Sequence, residues 1–386
     1  MPVAEDASAK IRRPLGIRVM HVAAPGRVGG LESVVEALVS GLHREGVPVA
    51  LTAVLDAGTD EPEVLDGLRR AGMPVYVVRT GPRGYGTERR KCLAAAAEFG
   101  ATIVHTHGYR PDVVTSRAAR RAGAMVVSTA HGFTGGGWRN RFYEWLQTRA
   151  WRHCDKVVAV SRPLREELLR TGMDAERVTL LPNAWPGMDG RLTREAARAR
   201  LGLPTDAWVI GWVGRLSQEK GPDLAVRALA ALPAGDVVLC LVGDGAELEP
   251  TRQLARELGV ADRVHLVGVQ PRAGELFMAF DAFLLSSRTE GTPIVVFEAM
   301  AASVPMVLAT VGGVPDVVSS GAAWLVPPLD VGAMAAALAA VRDDPEEARH
   351  RASHARRILD ERYAPATWVR RHLTLYETLM RREAGT

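Results

Sequence analysis

At 386 residues, 47% hydrophobic and 24% charged, the chain is too long for one ordinary core and too apolar for a disordered polymer. The net charge is only +4, and three cysteines at 92, 154 and 240 lie without metal-ligand spacing, reading as free thiols in a reducing compartment. No apolar run reaches a membrane-spanning length, and the polar opening MPVAEDASAKIRRPLG lacks the apolar centre of a secretory signal, so a cytoplasmic protein is expected.

Short Val/Ile-rich runs alternate with helix-period segments almost from end to end. The first half offers runs at 17–23, 48–56, 74–80, 101–107, 124–132, 156–161 and 177–183. Between the first two, Leu31, Val34, Val35, Leu38, Val39 and Leu42 repeat at three and four, one face of a helix. Near-continuous apolar strands separated by helices indicate a parallel sheet covered on both faces. The pattern pauses at PNAWPGMDG (182–190), a Pro/Gly/Asn-rich break, and restarts at 208–215, 236–245, 263–269, 282–287, 305–310 and 322–328. Two doubly wound, Rossmann-like domains are expected, 1–188 and 189–364, facing a crevice at the carboxyl ends of their strands. An amphipathic helix from 365 ends the chain.

Charge is uneven along this frame. Between 110 and 170 there are twelve Lys and Arg against five Asp and Glu. Arg139, Arg141, Arg149 and Arg152 interleave with Trp138, Phe142, Tyr143, Trp145 and Trp151. Either the aromatics of this segment face the core, or they form a basic-aromatic face for anionic lipid or a phosphorylated acceptor. No nucleic-acid recognition module is visible.

Function concentrates just past strand ends in an open parallel sheet, and several candidates stand there. Gly29 and Gly30 precede the first helix and would let backbone amides approach a ligand, although tight-turn glycines alone also explain them. His105 and His107 (VHTHG) and His131 (TAHGF) end two later strands, with Gly132 exposing backbone beside the last. Each is a ligand contact or a satisfied structural histidine. Zinc is not expected, since the HTH spacing does not place two ligands on one helix face. Arg215 just past a strand and Lys220 just before a helix suit a diphosphate, or simply a charged surface. In SSRTEGTPIVVFEAM, Thr292 reads as a helix N-cap with Pro293 at the first position, Glu290 lies in the loop, and Glu298 sits in an apolar run. A carboxylate there needs polar partners, which sugar hydroxyls would supply.

Taken in order, GGLE (29–32), HTHG (105–108), TAHGF (129–133), VAVS (158–161), LLPN (180–183), VGRLSQEKG (213–221), LVGDG (241–245) and EGTPIVVFEAMA (290–301) resemble glycosyltransferase family 4, whose members are retaining nucleotide-sugar glycosyltransferases of the GT-B fold. The resemblance spans nearly the whole chain. It implies that Arg215 and Lys220 hold the donor diphosphate, Glu298 the ribose, and Glu290 the transferred sugar, with the backbone around Gly291, Thr292, Pro293 and Ile294 assisting. It further implies that Val269 meets the base, Gly29 and Gly30 approach the phosphates, His131 sits near the reacting sugar carbon, and the final helix, 365–386, crosses back to the first domain. Family members work without a divalent metal or cofactor, and no D-x-D triplet occurs here. A UDP-sugar is the first expectation for the donor, and a hydroxyl in cell-surface polysaccharide or glycolipid synthesis for the acceptor, the enzyme being peripheral on the inner membrane face through 138–152. Two departures stand out: LLPN runs into Ala184-Trp185-Pro186 where the family has G-V-D, and Asp316 replaces a usual Glu. The alternatives are an epimerase acting on UDP-N-acetylglucosamine with the same fold, a nicotinamide-dependent oxidoreductase, which should carry a G-x-G-x-x-G turn that is missing here, and a silent sugar-nucleotide binder.

Overall fold

The computed structural model describes residues 16–25, 30–81, 83–132, 138–185, 187, 190, 192–233 and 235–384. All thirteen predicted strands are present, each one to four residues shorter than its apolar run. The first sheet contains β1 (Val19–Ala23), β2 (Val49–Asp56), β3 (Val75–Thr80), β4 (Ile103–His107), β5 (Met125–Ala130), β6 (Lys156–Ala159) and β7 (Val178–Leu180), all parallel, in the order β3-β2-β1-β4-β5-β6-β7. The second contains β8 (Trp208–Val213), β9 (Val237–Val242), β10 (Val264–Leu266), β11 (Ala282–Leu285), β12 (Met306–Ala309) and β13 (Trp324–Val326), ordered β10-β9-β8-β11-β12-β13. Each order reverses once, between β1 and β4 and between β8 and β11. Doubly wound sheets bind ligands at such switch points. Of the predicted site residues, Gly30 follows β1, Arg215 and Lys220 follow β8 and Glu290 to Glu298 follow β11, while His131 follows β5 and Val269 follows β10.

The apolar core runs continuously from one face of the first sheet into the second domain, while the other face of the first sheet packs on a separate cluster around Val104, Val126 and Val157. The helix Gly30–Arg44 fulfils its sequence pattern: Val34, Val35, Leu38, Val39 and Leu42 are all buried. The C-terminal helix, Pro365–Ala384, lies against it. Gly41 makes that contact close, since a Cβ there would stand 2.3 Å from the side chain of Val369. The two chain crossings between domains lie together, the Trp185 amide donating to the Tyr363 carbonyl at 3.1 Å.

Both faces of the first sheet carry polar groups near its centre. Thr106 and Ser128 donate to the buried Asp112 carboxylate at 2.5 and 2.7 Å, as do Gln147 and Trp151 from the helix Trp138–Trp151 at 2.8 and 3.0 Å. On the opposite face stand His21, His105 and His107, with His372 and Tyr376 of the C-terminal helix over them. His105 bonds Tyr376 Oη at 2.7 Å and Thr129 Oγ1 at 2.8 Å. Burial drives these imidazoles toward the neutral form: His21 is pushed down to about 3, His372 to about 4, and His105 and His107 well below the usual value.

Two outcomes follow. Gly41→Leu should lower the thermal midpoint by several degrees, because Val369 and the helix carrying it must move; an unchanged midpoint would show that the close approach is unimportant. The histidines bind protons more readily when unfolded, so their stabilisation is complete above the unfolded value near 6.5 and erodes as pH falls below it, toward 3–4. Asp112, pushed up to about 6 by burial, acts in the opposite direction. The slope assigned to one histidine approaches about 1.4 kcal/mol per pH unit, so urea midpoints between pH 7.5 and 5 should fall more steeply for the native chain than for His21→Asn, which cannot titrate. Parallel slopes would contradict the assignment.

Candidate functional site

The sharpest feature is a loop held without room for side chains. The segment 286–293 links β11 to the helix Ile294–Ala302 and passes between two other backbones. A Cβ on Gly291 would lie 2.1 Å from the His131 carbonyl oxygen of the first domain. Behind the loop, a Cβ on Gly312, at φ +50°, would lie 1.7 Å from the Glu290 carbonyl, and one on Gly313 2.2 Å from that of Gly291. The Gly313 amide donates to the Gly291 carbonyl at 2.8 Å, closing the stack.

Glu290, held in this way, is nearly buried and receives three hydrogen bonds. Lys220 Nζ reaches both carboxylate oxygens at 2.8 Å, and Ser287 Oγ donates at 2.6 Å. The cation comes from the β8 side of the switch point and the carboxylate from the β11 side. Gly221 closes the turn after Lys220 at φ +67°, where a Cβ would meet the Ser286 carbonyl at 2.3 Å. Arg288 braces both segments with a two-pronged pair to Asp223, at 2.9 and 2.8 Å, and a bond to the Gln218 carbonyl at 2.8 Å.

Glu298 lies one turn into the helix, half-buried, and none of the described residues gives it a hydrogen bond or ion pair. Burial alone pushes its carboxyl up to about 7. A carboxyl so placed lacks a protein partner and is suited to one supplied by a ligand. The Arg215 side chain is 70% exposed and, among the described residues, its guanidinium pairs only with Glu219, at 4.0 Å, so it can swing over the strand ends. Val269 is exposed past β10, and Gly30 opens the first helix. Gly29 lies outside the described residues, as do the side chains of Arg139 and Arg141.

Several expectations change. Thr292 is not the helix cap: the helix begins at Ile294, Pro293 precedes it without a capping bond, and the Thr292 hydroxyl donates to the Val160 carbonyl at 2.6 Å. That carbonyl lies just past β6 in the first domain, so the hydroxyl ties the domains together. Of the strand-end histidines, His105 and His107 are wholly buried and cannot touch a ligand in the crevice; His131 is half-buried and can. The spacing argument about zinc does not apply either, because HTH lies on a strand, where residues two apart share a face. Nitrogens of His21, His105 and His107 come within 4.8 Å of one another. All of these nitrogens except His21 Nε2 are engaged with another imidazole or with a hydroxyl, which makes the group a hydrogen-bonded network. Asp316, the shortened carboxylate, faces the other domain and accepts from the Arg162 amide at 2.7 Å at the start of the helix Arg162–Arg170. The sequence reading missed Ser287, Arg288, Gly312 and this bond. Only the glycine pair in GGVPDVV carried a visible signal, as a turn.

The helix Trp138–Trp151 divides between its two expected roles. Trp151 is buried, whereas Phe142, Tyr143 and Trp145 are each about half exposed, with Arg149 stacked on the Trp145 ring at 5.1 Å. Among the described residues, no helix is long and apolar enough to cross a membrane.

The chain matches two protein families, Glycosyltransferase Family 4 over residues 28–185 and Glycosyl transferases group 1 over residues 193–358. It is 30% identical over 344 residues to the D-inositol 3-phosphate glycosyltransferase of Mycobacterium tuberculosis, covering 80% of this chain and 70% of that one. Its fold is shared with HepE of Anabaena solved with UDP-glucose, at TM-score 0.81 and 23% identity, covering 94% of this chain and all of the other. Sucrose-phosphate synthase from Thermosynechococcus elongatus superposes with TM-score 0.78 at 21% identity, over 94% and 99% of the two chains. With two switch points meeting at one crevice and both family matches falling on the corresponding halves, the protein belongs to the GT-B glycosyltransferases of family 4.

Proposed function

We propose that the enzyme transfers a sugar, with retention, from a UDP-sugar to an acceptor hydroxyl, without a metal or cofactor. The observation that carries this reading is the Lys220–Glu290 pair, held where the glycine loop meets His131. In this reading a donor diphosphate takes Lys220 from Glu290, with Arg215 swinging in from solvent. That exchange replaces one anion by another and frees the Glu290 oxygens for sugar hydroxyls. Glu298, without a protein partner, accepts from the ribose; Val269 lies against the base; Gly29, Gly30 and the backbone at Gly291, Thr292, Pro293 and Ile294 approach the phosphates and sugar. Fixed cations beside the leaving diphosphate stabilise the charge that develops there. No carboxylate of the first domain stands as a nucleophile among these residues, which favours a front-face path in which the leaving phosphate oxygen takes the acceptor proton. Trapping of a covalent glycosyl-enzyme would overturn that path.

For the acceptor, the exposed Phe142, Tyr143 and Trp145 beside Arg149 support a lipid-linked hydroxyl, presented at the surface of an anionic membrane in polysaccharide or glycolipid synthesis. The enzyme would then work on the cytoplasmic face. The name of the mycobacterial relative makes a small phosphorylated polyol the comparison acceptor.

Thermal shifts with UDP, GDP, ADP, dTDP and NAD test the donor site. A ligand at 100 times its Kd adds roughly 2.7 kcal/mol. UDP should stabilise the native chain and fail to stabilise Lys220→Ala and Glu298→Gln, each compared with its own ligand-free midpoint; stabilisation by NAD alone would end the transferase reading. Sedimentation with vesicles containing anionic lipid tests the surface. The native chain should bind more than a variant with Arg139, Arg141 and Arg149 reversed in charge, and equal binding would remove the membrane from the proposal.

A further inference from the structure

We propose that His21 and His107 are positioning residues that hold His131 in the tautomer protonated on Nδ1, through a chain of hydrogen bonds running from the interior of the first domain to the crevice. His21 Nδ1 lies 2.9 Å from His107 Nε2, and His107 Nδ1 lies 3.5 Å from His131 Nε2. At the inner end, His21 Nε2 is fully buried and has no partner among the described residues. That orphan sets the direction. If His21 carried its proton on Nε2, an N–H would be buried without an acceptor, the rarer and costlier arrangement. With the proton on Nδ1, His21 donates to His107 Nε2, His107 must carry its own proton on Nδ1, and it donates in turn to His131 Nε2. His131 is left with its proton on Nδ1, a nitrogen that no described residue engages.

The surroundings hold the ring neutral as well as oriented. His131 is faced by the His107 ring of β4 at 5.8 Å and feels His372 of the C-terminal helix and His105 of β4, with His21 of β1 stacked behind His107 and Tyr376 bonded to His105. Each further proton in this group would sit beside another imidazole. The backbone of Gly291 covers the ring's residue from the second domain, next to the Lys220–Glu290 pair. Resting on the function proposed above, the consequence is a hydrogen-bond donor of fixed direction and no net charge, which can hold a sugar hydroxyl without removing its proton.

The test is a long-range proton–nitrogen correlation spectrum of the full chain labelled with 15N-histidine, His131 being assigned by difference with His131→Gln. At pH 7.5 its Nδ1 should be protonated and its Nε2 bare. His107→Asn keeps an N–H where Nδ1 stands and should preserve this pattern. His107→Phe should shift His131 toward the other tautomer. Removing a donor that favours the neutral ring lets it protonate at higher pH, so the acidic limb of the kcat profile should move up and kcat fall roughly tenfold. A native His131 protonated on Nε2, or His131 signals unmoved in His107→Phe, would overturn the proposal. If His107→Phe does not fold, the native and His107→Asn spectra still decide. The spectrum needs no donor sugar, so absence of transferase activity alongside the expected tautomer would defeat the functional reading and leave the relay standing.

Discussion

Three backbones meet at Gly291 with no space for a Cβ on the loop or behind it, and the rest of the site depends on that contact. His131 is in front, Gly312 and Gly313 are behind, and Glu290 lies between them. Side chains at these positions would push the loop out of the crevice and separate Glu290 from Lys220. The contact also fixes the distance between the domains at the point where both sheets reverse order. Thr292 on the Val160 carbonyl and Asp316 on the Arg162 amide strengthen the same seam with directed hydrogen bonds. Along this seam the domains meet through backbone groups and short polar side chains, beside the apolar core that the two domains share.

Within that frame the charges are arranged for exchange. A cation and a carboxylate held at 2.8 Å in a nearly buried setting are satisfied in the absence of ligand, so neither is stranded. Removing one partner of such a pair costs about 3–5 kcal/mol when burial is complete, which explains why Ser287 and the Arg288–Asp223 brace surround it. Glu298 is treated differently. It has burial without a partner among the described residues, and its carboxyl is near 7, midway between acid and anion at neutral pH. The helix Ile294–Ala302 is otherwise apolar, so this single position carries the cost of a half-buried carboxyl.

The fold was legible because its signal is periodic. Thirteen apolar runs gave thirteen strands, and Leu31 to Leu42 gave the helix that the C-terminal helix later covers. The site was legible in part. Lys220, Glu290 and Glu298 are unusual residues in a regular pattern, and the family resemblance ordered them. Thr292 was misread because a Thr-Pro pair before an apolar run has the same form whether the hydroxyl caps its own helix or reaches another domain. Tertiary demand from the Val160 carbonyl decided it. His21 left no trace at all, since one histidine inside VMHVA carries no period, and its role exists only once β1 and β4 lie side by side with His21 opposite His105.

The two sheets differ in a way that suits the two halves of the crevice. The strands β9, β11 and β12 of the second sheet are apolar throughout, and Lys220, Ser287 and Glu290 stand past strand ends, on the loops of the candidate site. The first sheet carries histidine, threonine and serine within β1, β4 and β5, committed on one face to Asp112 and on the other to Tyr376. Each polar network joins the sheet to a particular helix: Asp112 anchors the helix that exposes Phe142 and Trp145, and His105 anchors the C-terminal helix that returns from the second domain. An apolar contact would tolerate sliding of those helices, because dispersion is nearly indifferent to register. Directed bonds in a dry interior do not. The buried polar groups of the first domain therefore fix the angle at which two helices leave the sheet, and through them the position of the exposed Phe142 and Trp145 and of the helix that returns from the second domain.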